Sequence, residues 1–420
     1  ERTDLMDHFD YRDGELYAED IAFQEIANAV GTPFYCYSSA TLVRHYKAFA
    51  DALTGLDAKI YYAVKANSNV ALVRLLSQQG AGADIVSAGE LAVAQAAGVA
   101  ADEIVFSGVG KKREEMRAGL EAGIGQFNVE SEAELEALSE VANGMGATAQ
   151  IGIRLNPDVD AKTHAKITTG KAENKFGVAW PRARELYARA AELPGIQVKA
   201  AAVHIGSQIT TLKPYELAYH RLLEMVELLE QDGHDISTID LGGGLGIPYG
   251  EETPPSPAEY GAVVKNVFGK TGKKLGFEPG RVIVGNAGIV VSSLVYNKQS
   301  EDRRFVIIDA AMNDLIRPTL YDAKHDLVPV RLTNGPHSEA DVVGPICESG
   351  DTFARNCELP ELGEGELIAI RSAGAYGAVM ASTYNARPMA AEVLVHGSDF
   401  SVIRKRKTIE DLIANDTIPD

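Results

Sequence analysis

The chain has 420 residues, enough for two ordinary domains, and its 45% hydrophobic and 24% charged residues are typical of a soluble globular protein. No apolar run is long enough to cross a bilayer, and the N-terminal ERTDLMDHFD lacks the apolar core of a signal peptide. The net charge of −19 argues against nucleic acid or an anionic membrane as partner, and three cysteines without a CxxC pair predict a reducing, cytoplasmic location.

Between residues 34 and 280, short β-branched and aromatic runs alternate with longer segments whose apolar residues recur at helical spacing. Segments such as NVALVRLLSQQG and SEAELEALSEVANG end at glycine, as helices commonly do. Eight strand-then-helix units predict a (β/α)8 barrel of the TIM type over 34–280, with an open doubly wound sheet as the alternative. The eight strands are predicted to end near Lys65, Ser87, Ser107, Val129, Arg154, His204, Leu241 and Glu278.

The pattern changes after residue 280. Runs such as RVIVGNAGIVVSSLVY, RRFVIIDAAM, ELIAIRSAGAYG, AAEVLVHG and DFSVIRKR predict strands separated by turns, and only TIEDLIAND near the C-terminus predicts a helix. Near the N-terminus, YRDGELY places Asp-Gly between two tyrosines, which favours a β-hairpin. We therefore predict a second, mainly β domain built from residues 1–33 and 281–420, which completes the active site.

The run IYYAVKANSN, residues 60–69, places Lys65 at the end of an apolar strand. Burying a lysine is costly, so its position requires a reason. Active sites of such barrels form at the carboxyl ends of the strands, where Arg154, His204 and Glu278 are also predicted to lie. Each residue alone has an ordinary explanation, as a rim lysine, a structural ion pair or a core histidine. Their convergence at one end of the barrel favours a shared site.

Two glycine-bearing turns follow the last two predicted strands. DLGGGLGIP (240–248) allows backbone N–H groups to surround an anion, and FEPGRVIVGNAG (277–288) adds Arg281 beside a second turn. The runs match neither GxGxxG nor GxxxxGK[ST], so a nucleotide is poorly supported. A flexible turn is the ordinary explanation of the first run. Together, however, the two turns are typical of the phosphate site of these barrels.

A strand-end lysine and a phosphate site predict pyridoxal 5'-phosphate as the cofactor. The amine of Lys65 can form a Schiff base with the aldehyde of this cofactor, while the glycine turns hold its phosphate. Glu278 is placed to keep the ring nitrogen protonated, and His204 is placed to stack on the ring. We expect no metal ion.

Six motifs occur in order along the chain: AVKAN, HIGSQ, GGGLG, EPGR, CESGD and AGAYG. Each is weak alone, but the ordered set, within residues 20–410, resembles the alanine-racemase-like, fold-type III class of pyridoxal phosphate enzymes. Within that class it is similar to the diaminopimelate decarboxylase family. The resemblance implies decarboxylation of meso-2,6-diaminopimelate to L-lysine and CO2, the last step of lysine biosynthesis.

The resemblance also implies roles for individual residues. Catalysis is assigned to Lys65 and Cys347, the latter as proton donor. Cofactor binding is assigned to Lys65, His204, Gly244, Glu278, Pro279, Gly280, Arg281 and Tyr376. Substrate binding is assigned to Arg281, Arg317, Tyr321, Glu348 and Tyr376. In this family the loop that carries Cys347 reaches across a two-fold interface, which implies a homodimer with shared active sites.

Charges at the far end of the substrate distinguish the related enzymes. Arg317 and Arg281 favour a far carboxylate and would repel a substrate that ends only in an ammonium, whereas Glu348 favours a far ammonium. Both groups together describe meso-diaminopimelate. The alternatives are a decarboxylase of another diamino acid or of carboxynorspermidine, and a non-catalytic homologue that would have lost Lys65 or Cys347. The ordinary explanation of Cys347 is a buried apolar thiol, and that of Tyr376 is a core aromatic.

Overall fold

A computed structural model describes residues 7–161, 169–170, 175–250 and 252–419. These residues form two compact units. The barrel unit contains the described residues of 45–247 and 253–282, and the β unit contains those of 1–44, 248–252 and 283–420. None of the helices in the described ranges is both long and apolar enough to cross a membrane.

The first three described strands form a small antiparallel sheet. The elements up to residue 52 are β1 (Phe9–Arg12), β2 (Glu15–Ala18), β3 (Ile21–Ala22), α1 (Phe23–Val30), β4 (Phe34–Ser38) and α2 (Ser39–Ala52). β1 and β2 pair with Arg12 opposite Glu15, and Asp13 and Gly14 turn between them at φ of +49° and +80°. The hairpin predicted in YRDGELY is therefore confirmed, because Asp and Gly tolerate this left-handed backbone.

Nine short strands follow in the barrel unit. They are β5 (Ala58–Ala63), β6 (Gly82–Ile85), β7 (Ile104–Phe106), β8 (Gln126–Val129), β9 (Ala149–Asn156), β10 (Val178–Ala179), β11 (Ile196–Val203), β12 (Thr238–Asp240) and β13 (Lys274–Phe277). All except β10 form a closed parallel ring in the order β9-β11-β12-β13-β5-β6-β7-β8, in which β8 pairs with β9; β10 pairs with the end of β9. The predicted barrel is confirmed, and ring closure rules out the open-sheet alternative.

Helices connect these strands. They are α3 (Val70–Gln78), α4 (Ala88–Ala97), α5 (Arg113–Ala122), α6 (Glu132–Met145), α7 (Ala183–Glu192), α8 (Lys213–Gln231) and α9 (Pro257–Phe268). The hydroxyls of Ser87 and Ser131 cap α4 and α6 by accepting a backbone N–H bond at 3.1 and 3.2 Å. Strands such as GADI and IVF are buried along their whole length, as expected for strands between a barrel interior and a layer of helices.

The remaining elements form most of the β unit, except that the first two residues of α10 belong to the barrel unit. They are α10 (Arg281–Val284), β14 (Gly288–Gln299), β15 (Arg304–Ile308), α11 (Arg317–Tyr321), β16 (Leu327–Pro329), β17 (His337–Val343), β18 (Thr352–Pro360), β19 (Leu367–Ile370), β20 (Ala391–His396), β21 (Asp399–Arg404) and α12 (Ile409–Ile413). The main sheet has the order β18-β17-β15-β14-β4-β20-β21, with β19 on β14 and β16 on β19. A mainly β second domain is thus confirmed, as is the helix in TIEDLIAND.

The structure moves the start of the barrel away from the predicted residue 34. β4, the run FYCYS, pairs antiparallel with β14 and parallel with β20, so it belongs to the β unit. All five of its residues are buried, as in a barrel strand. An apolar run buried on both faces has the same pattern in either sheet, so the sequence pattern did not separate the two.

Two helical turns interrupt regions that were predicted as strands or left unassigned. The residues RVIV, at the start of the predicted strand RVIVGNAGIVVSSLVY, form the one-turn helix α10, and the strand itself begins at Gly288. The second turn is α11, which opens with Arg317 and Pro318. Proline is favoured in the first turn of a helix, and this signal is too short to give a helical period.

Candidate active site

The barrel brings the predicted strand-end residues to one end of the ring. Lys65 lies in a single 3-10 turn directly after β5, His204 follows β11, and Glu278 follows β13. Gly244 lies in the loop after β12, and Arg154 lies two residues before the end of β9. Because all eight strands are parallel, these positions share the carboxyl end where active sites of such barrels form.

The amine of Lys65 is held by a buried carboxylate. Its Nζ lies 2.6 Å from Oδ2 of Asp84 at the end of β6; the Asp84 side chain is fully buried and that of Lys65 is 32% exposed. Within the described chain, Oδ1 of Asp84 is buried without a hydrogen-bond partner. Nearby, burial raises the pKa of Glu90 to about 7. The site therefore combines the accessible amine of Lys65 with a buried carboxylate oxygen of Asp84 that has no hydrogen-bond partner in the described chain.

Glu278 lies in a buried cluster of polar side chains. Its Oε1 accepts hydrogen bonds from Ser107 Oγ at 3.3 Å and from Asn128 Nδ2 at 3.2 Å. Asn128 Nδ2 also lies 3.1 Å from Oδ2 of Asp240. Burial, followed by the negative charges of Asp240 and Asp84, raises the pKa of Glu278 well above its ordinary value. These surroundings favour the protonated form of Glu278.

His204 is a neutral ring in this structure. Its Nδ1 accepts a hydrogen bond from the backbone N–H of Gly243 at 3.2 Å, so that nitrogen carries no proton. Desolvation and the positive charges of Arg154 and Lys65 hold the pKa of His204 well below its ordinary value. Arg154 donates to the carbonyl of His204 at 3.3 Å and to Glu130 Oε1 at 3.0 Å, which fixes the backbone beneath the ring.

The glycines of GGGLG permit three loops to pack at backbone distance. Gly242 and Gly244 have φ of +64° and +108°, which favour glycine. A Cβ on Gly243 would lie 2.2 Å from the carbonyl oxygen of Glu278, and one on Gly244 would lie 2.3 Å from that of Gly206. Side chains are therefore excluded from this turn, so that its backbone can approach neighbouring groups closely.

The EPGR turn packs against the turn that carries Lys65. The carbonyl of Pro279 accepts a hydrogen bond from the last residue of β5 at 3.1 Å. A Cβ on Gly280 would lie 2.9 Å from the side chain of Ala66, so glycine permits this approach. Arg281 donates to Ser207 Oγ at 2.9 Å, which links the turn to the loop after β11. The barrel unit thus brings together all of its predicted site residues.

These residues fit pyridoxal 5'-phosphate. The amine of Lys65 can bind an aldehyde, and the turns at Gly244 and Gly280, which exclude side chains, would allow their backbone to approach a phosphate. The raised pKa of Glu278 suits a partner for a ring nitrogen, and the lowered pKa of His204 suits a neutral ring that stacks on another.

In the β unit, Arg317 is buried and oriented. Its side chain lies 4.3 Å from the centre of the Tyr249 ring, and its NH1 lies 3.1 Å from Nε2 of His325. Nδ1 of His325 lies 2.9 Å from the carbonyl oxygen of Arg371, which can only accept, so Nδ1 carries the proton and Nε2 accepts from Arg317. Tyr321 ends the same short helix, so the predicted pair Arg317 and Tyr321 shares α11.

Asp351 holds the backbone at the start of the loop CESGD. The two carboxylate oxygens of Asp351 accept hydrogen bonds from the N–H groups of Met312 and Ile346 at 2.6 and 2.7 Å. Cys347 and Glu348 remain exposed. The backbone N–H of Cys347 donates to Asn385 Oδ1 at 3.0 Å. Tyr384 hydrogen bonds to Glu348, and this contact raises the pKa of the Tyr384 phenol. The exposure of Cys347 excludes the ordinary explanation of a buried apolar thiol.

Tyr376 lies in a strained turn of AGAYG. Its φ of +55° is in the left-handed region that side chains disfavour. The next residue must be small, since a Cβ on Gly377 would lie 2.5 Å from the carbonyl oxygen of Ala373. Backbone strain of this kind is frequent at binding sites, and the partly exposed ring is not a core aromatic.

Sequence reasoning missed several polar residues of the barrel site. Asp84, Asn128 and Asp240 are buried at or near strand ends and contact Lys65 or Glu278. The available signal was a polar residue inside an otherwise apolar strand run, as in GADI, QFNV and TID. In the β unit, His325 and Asn385 carried no such signal, because they lie outside the strands.

Comparisons with known proteins identify the family of the chain. Residues 39–285 match the family model of the pyridoxal-binding domain of pyridoxal-dependent decarboxylases. The chain is 48% identical to a diaminopimelate decarboxylase of Zymomonas mobilis, over 97% of this chain and 98% of the relative. It is 49% identical to that of Pseudomonas aeruginosa, over 98% and 99%.

Solved structures of the same family have a similar fold. Diaminopimelate decarboxylase of M. jannaschii in co-complex with L-lysine is 36% identical, with a TM-score of 0.94 over 98% of each chain. That of Helicobacter pylori complexed with L-lysine is 40% identical, with a TM-score of 0.90 over 93% of this chain and 98% of the other.

The barrel with a strand-end lysine, glycine turns and a buried acid defines a pyridoxal-phosphate-dependent enzyme with a mainly β second unit. Within that class, the chain belongs to the diaminopimelate decarboxylase family of pyridoxal-dependent decarboxylases.

Proposed function

We propose that this chain decarboxylates meso-2,6-diaminopimelate to L-lysine and CO2 with pyridoxal 5'-phosphate, in the cytoplasm. The observation that carries the proposal is the amine of Lys65, 2.6 Å from Asp84, at the same barrel end as Glu278 and the GGGLG turn. Relatives named diaminopimelate decarboxylase at 48% and 49% identity support the choice of substrate.

Bound pyridoxal phosphate supplies an aldehyde that captures amines and a ring that accepts the electron pair left by departing CO2. In our proposal, Lys65 would hold the cofactor through its side-chain amine. Gly244 and the Pro279–Arg281 turn would hold the phosphate. His204 would stack on the ring as a neutral side chain, and Glu278 would keep a proton on the ring nitrogen.

Residues of the β unit select the substrate and move a proton. We assign the far carboxylate of the substrate to Arg317 and Tyr321, together with Arg281 of the barrel unit, because a guanidinium can bind a carboxylate through two parallel hydrogen bonds. Glu348 binds the far ammonium. Cys347 delivers the proton to the carbon that loses CO2, and Tyr376 contacts cofactor and substrate.

We further propose a homodimer in which each site combines Lys65 of one protomer with Cys347 and Glu348 of the other. The family resemblance implies this arrangement. The exposure of Cys347 and Glu348 in the single chain supports it, because proton transfer to carbon benefits from a site closed to water. A two-fold dimer would then contain two equivalent composite sites.

Borohydride reduction tests the role of Lys65. We expect the purified protein to be yellow and, after reduction and digestion, to carry the cofactor on the peptide that contains Lys65. The matched control is Lys59→Arg, at a lysine of the preceding strand β5 that pairs with Glu103 and should leave labelling unchanged. A label on any other lysine would contradict the assignment.

Product analysis tests the reaction. We expect CO2 and L-lysine from meso-diaminopimelate, and little CO2 from L-lysine, L-ornithine or carboxynorspermidine. Comparable release from one of these would favour the corresponding alternative enzyme. Protein that binds the cofactor at Lys65 but releases CO2 from none of them would be a non-catalytic homologue.

A further inference from the structure

A side-chain amide joins two carboxyl groups in the core of the barrel unit. Asn128 Nδ2 lies 3.1 Å from Asp240 Oδ2 and 3.2 Å from Glu278 Oε1, and all three residues are buried. Ser107 Oγ lies 3.2 Å from the same nitrogen. The proposed mechanism gives a role to Glu278 but none to Asn128 or Asp240.

The orientation of this amide is fixed by its neighbours. Gln126 Nε2 donates to Asn128 Oδ1 at 2.7 Å, so the NH2 group of Asn128 must face the two carboxyl groups. On the next strand, Gly152 leaves room for the pair, since a Cβ there would lie 2.9 Å from Asn128 Oδ1 and 3.1 Å from Gln126 Nε2. The backbone N–H of Gly242 holds the other oxygen of Asp240 at 3.0 Å.

The two carboxyl groups lie on either side of one amide nitrogen, since Asn128 Nδ2 donates to Asp240 Oδ2 at 3.1 Å and to Glu278 Oε1 at 3.2 Å. After burial, the negative charge of Asp240 is therefore the next cause that opposes ionisation of Glu278 and raises its pKa. Burial raises the pKa of both groups. The other charged or titratable groups that act on the pair are Asp84, Lys65, Tyr61, Tyr219 and Tyr260. Of these, only Lys65 is a cation, so the cluster favours retention of the proton.

We propose that Asn128 and Asp240 are positioning residues that act through Glu278: Asn128 holds the two carboxyl groups together, and the negative charge of Asp240 keeps a proton available to Glu278 for the ring nitrogen of the cofactor. This inference rests on the proposed function, because it assumes that Glu278 faces that nitrogen. If Asn128 had only a structural role, its amide would link the ends of β7, β8, β12 and β13. Replacing Asn128 would then weaken the binding of any ligand equally, whatever the atoms of its ring.

Two ligands separate these roles: pyridoxal phosphate, and an analogue in which a CH group replaces the ring nitrogen. Both keep the aldehyde and the phosphate, so the ratio of their dissociation constants isolates the nitrogen. Absorbance titration of cofactor-free protein gives this ratio for the wild type, Asp240→Asn and Asn128→Ala. Asp341→Asn, a buried aspartate of the β unit paired with Arg303, is the matched control.

We expect the wild type and Asp341→Asn to prefer pyridoxal phosphate clearly over the analogue. Loss of a neighbouring carboxylate changes proton affinity by about one pKa unit or more, so Asp240→Asn should reduce the preference by about tenfold. Asn128→Ala should reduce it in the same direction. Circular dichroism of the cofactor-free proteins shows whether each variant is folded.

Three outcomes would overturn the inference. They are a wild-type ratio near one, an unchanged ratio in Asp240→Asn, and an equal loss of affinity for both ligands in Asn128→Ala, as a structural tie predicts. A wild-type ratio near one overturns the inference even if neither variant folds. Labelling of Lys65 and CO2 release, measured on the same preparations, report separately on the proposed function.

Discussion

The proposed functional side chains of the barrel unit are largely buried, whereas two of those in the β unit, Cys347 and Glu348, are exposed. Asp84 and Glu278 lie among other buried groups at strand ends, where each has several polar neighbours. Cys347 and Glu348 lie on a loop fixed through backbone N–H bonds to Asp351 and Asn385. In the barrel unit, burial controls the protonation of the functional side chains. In the β unit, hydrogen bonds to the loop control only the positions of Cys347 and Glu348.

The two arrangements have different energetic consequences. A buried acid with a raised pKa makes folding less favourable at neutral pH, because ionisation is opposed in the folded state. An exposed loop has no such cost, but its geometry depends on a few hydrogen bonds worth about 0.5–1.5 kcal/mol each. Substitutions in the barrel site should therefore alter pH dependence, and those in the β unit should alter activity with little effect on stability.

The largest effect in the β unit is expected at Cys347. Removing a positioned proton donor usually costs about 10²–10⁴-fold in rate, so Cys347→Ala should be nearly inactive while it still binds the cofactor at Lys65. Unfolding temperature should be unchanged, because the thiol is exposed. Decarboxylation rates and thermal melts check both statements. Full activity in Cys347→Ala would remove Cys347 from the mechanism.

Mixing two inactive variants tests whether the site is shared. If Lys65→Ala and Cys347→Ala protomers pair at random, half of the dimers are hybrids with one intact site of two. Activity should then recover to roughly a quarter of the wild-type value. The control is each variant dissociated and reassembled alone. No recovery, in a mixture shown by mass to contain hybrids, would place both residues in the same chain's site.

A smaller, substrate-dependent effect is expected at Arg317. Arg317→Ala removes a charge-assisted contact worth about 1.5–3 kcal/mol, which is roughly 10- to 150-fold on meso-diaminopimelate. Any activity on D-lysine, which lacks the far carboxylate, should change much less. The measurement is kcat/KM on both substrates. His325→Gln alters the hydrogen bond that His325 makes with Arg317. It should also lower kcat/KM on meso-diaminopimelate more than on D-lysine, but by a smaller factor than Arg317→Ala. Equal losses on both substrates would contradict a carboxylate-binding role.

The buried acid predicts a pH-dependent stability difference. The raised pKa of Glu278 means that the folded protein keeps a proton that the unfolded chain releases above about pH 4.3. Stability is therefore lost as pH rises from there towards the folded-state pKa. In cofactor-free protein, Glu278→Gln should melt higher than the wild type at pH 8, and the gap should narrow towards pH 5.

Thermal melts across this range measure the gap. Glu227→Gln, an exposed glutamate of α8, should follow the wild type at every pH. A constant difference between Glu278→Gln and the wild type from pH 5 to pH 8 would show that ionisation of Glu278 does not oppose folding.

The barrel and its strand-end residues were predictable from the spacing of apolar residues and from the places of polar residues directly after apolar runs. Apolar runs followed by helical segments predicted the eight strands, and Lys65, His204 and Glu278 followed from their places at strand ends. The boundary at residue 34 was not predictable in this way, since β4 is buried on both faces in either sheet. Only the pairing between distant strands shows to which sheet β4 belongs, and the local sequence pattern does not contain that information.

The supporting polar residues were harder to predict for a different reason. Asp84, Asn128 and Asp240 matter through contacts with residues 19 to 150 positions away, as in the ion pair of Lys65 with Asp84 and the bond of Asn128 to Glu278. The loops of the β unit pose the same difficulty, because Asn385 reaches Cys347 across 38 positions.

The smallest effect is expected at Asn385, which supports the loop of Cys347 through one hydrogen bond. Asn385 and Ala386 have φ of +55° and +54°, so replacing Asn385 by Ala would add strain to the lost bond. Asn385→Gly removes the bond and tolerates the backbone. It should lower kcat by about 2- to 12-fold, the equivalent of one hydrogen bond, and leave cofactor binding unchanged. Ala386→Gly, which relieves strain but keeps the bond, is the control and should retain activity. The rate at which iodoacetamide alkylates Cys347 gives a second measurement, since Cys36 is buried and Cys357 is only partly accessible. That rate should change in Asn385→Gly and not in Ala386→Gly; if neither kcat nor alkylation changes, the hydrogen bond to Asn385 does not position the thiol.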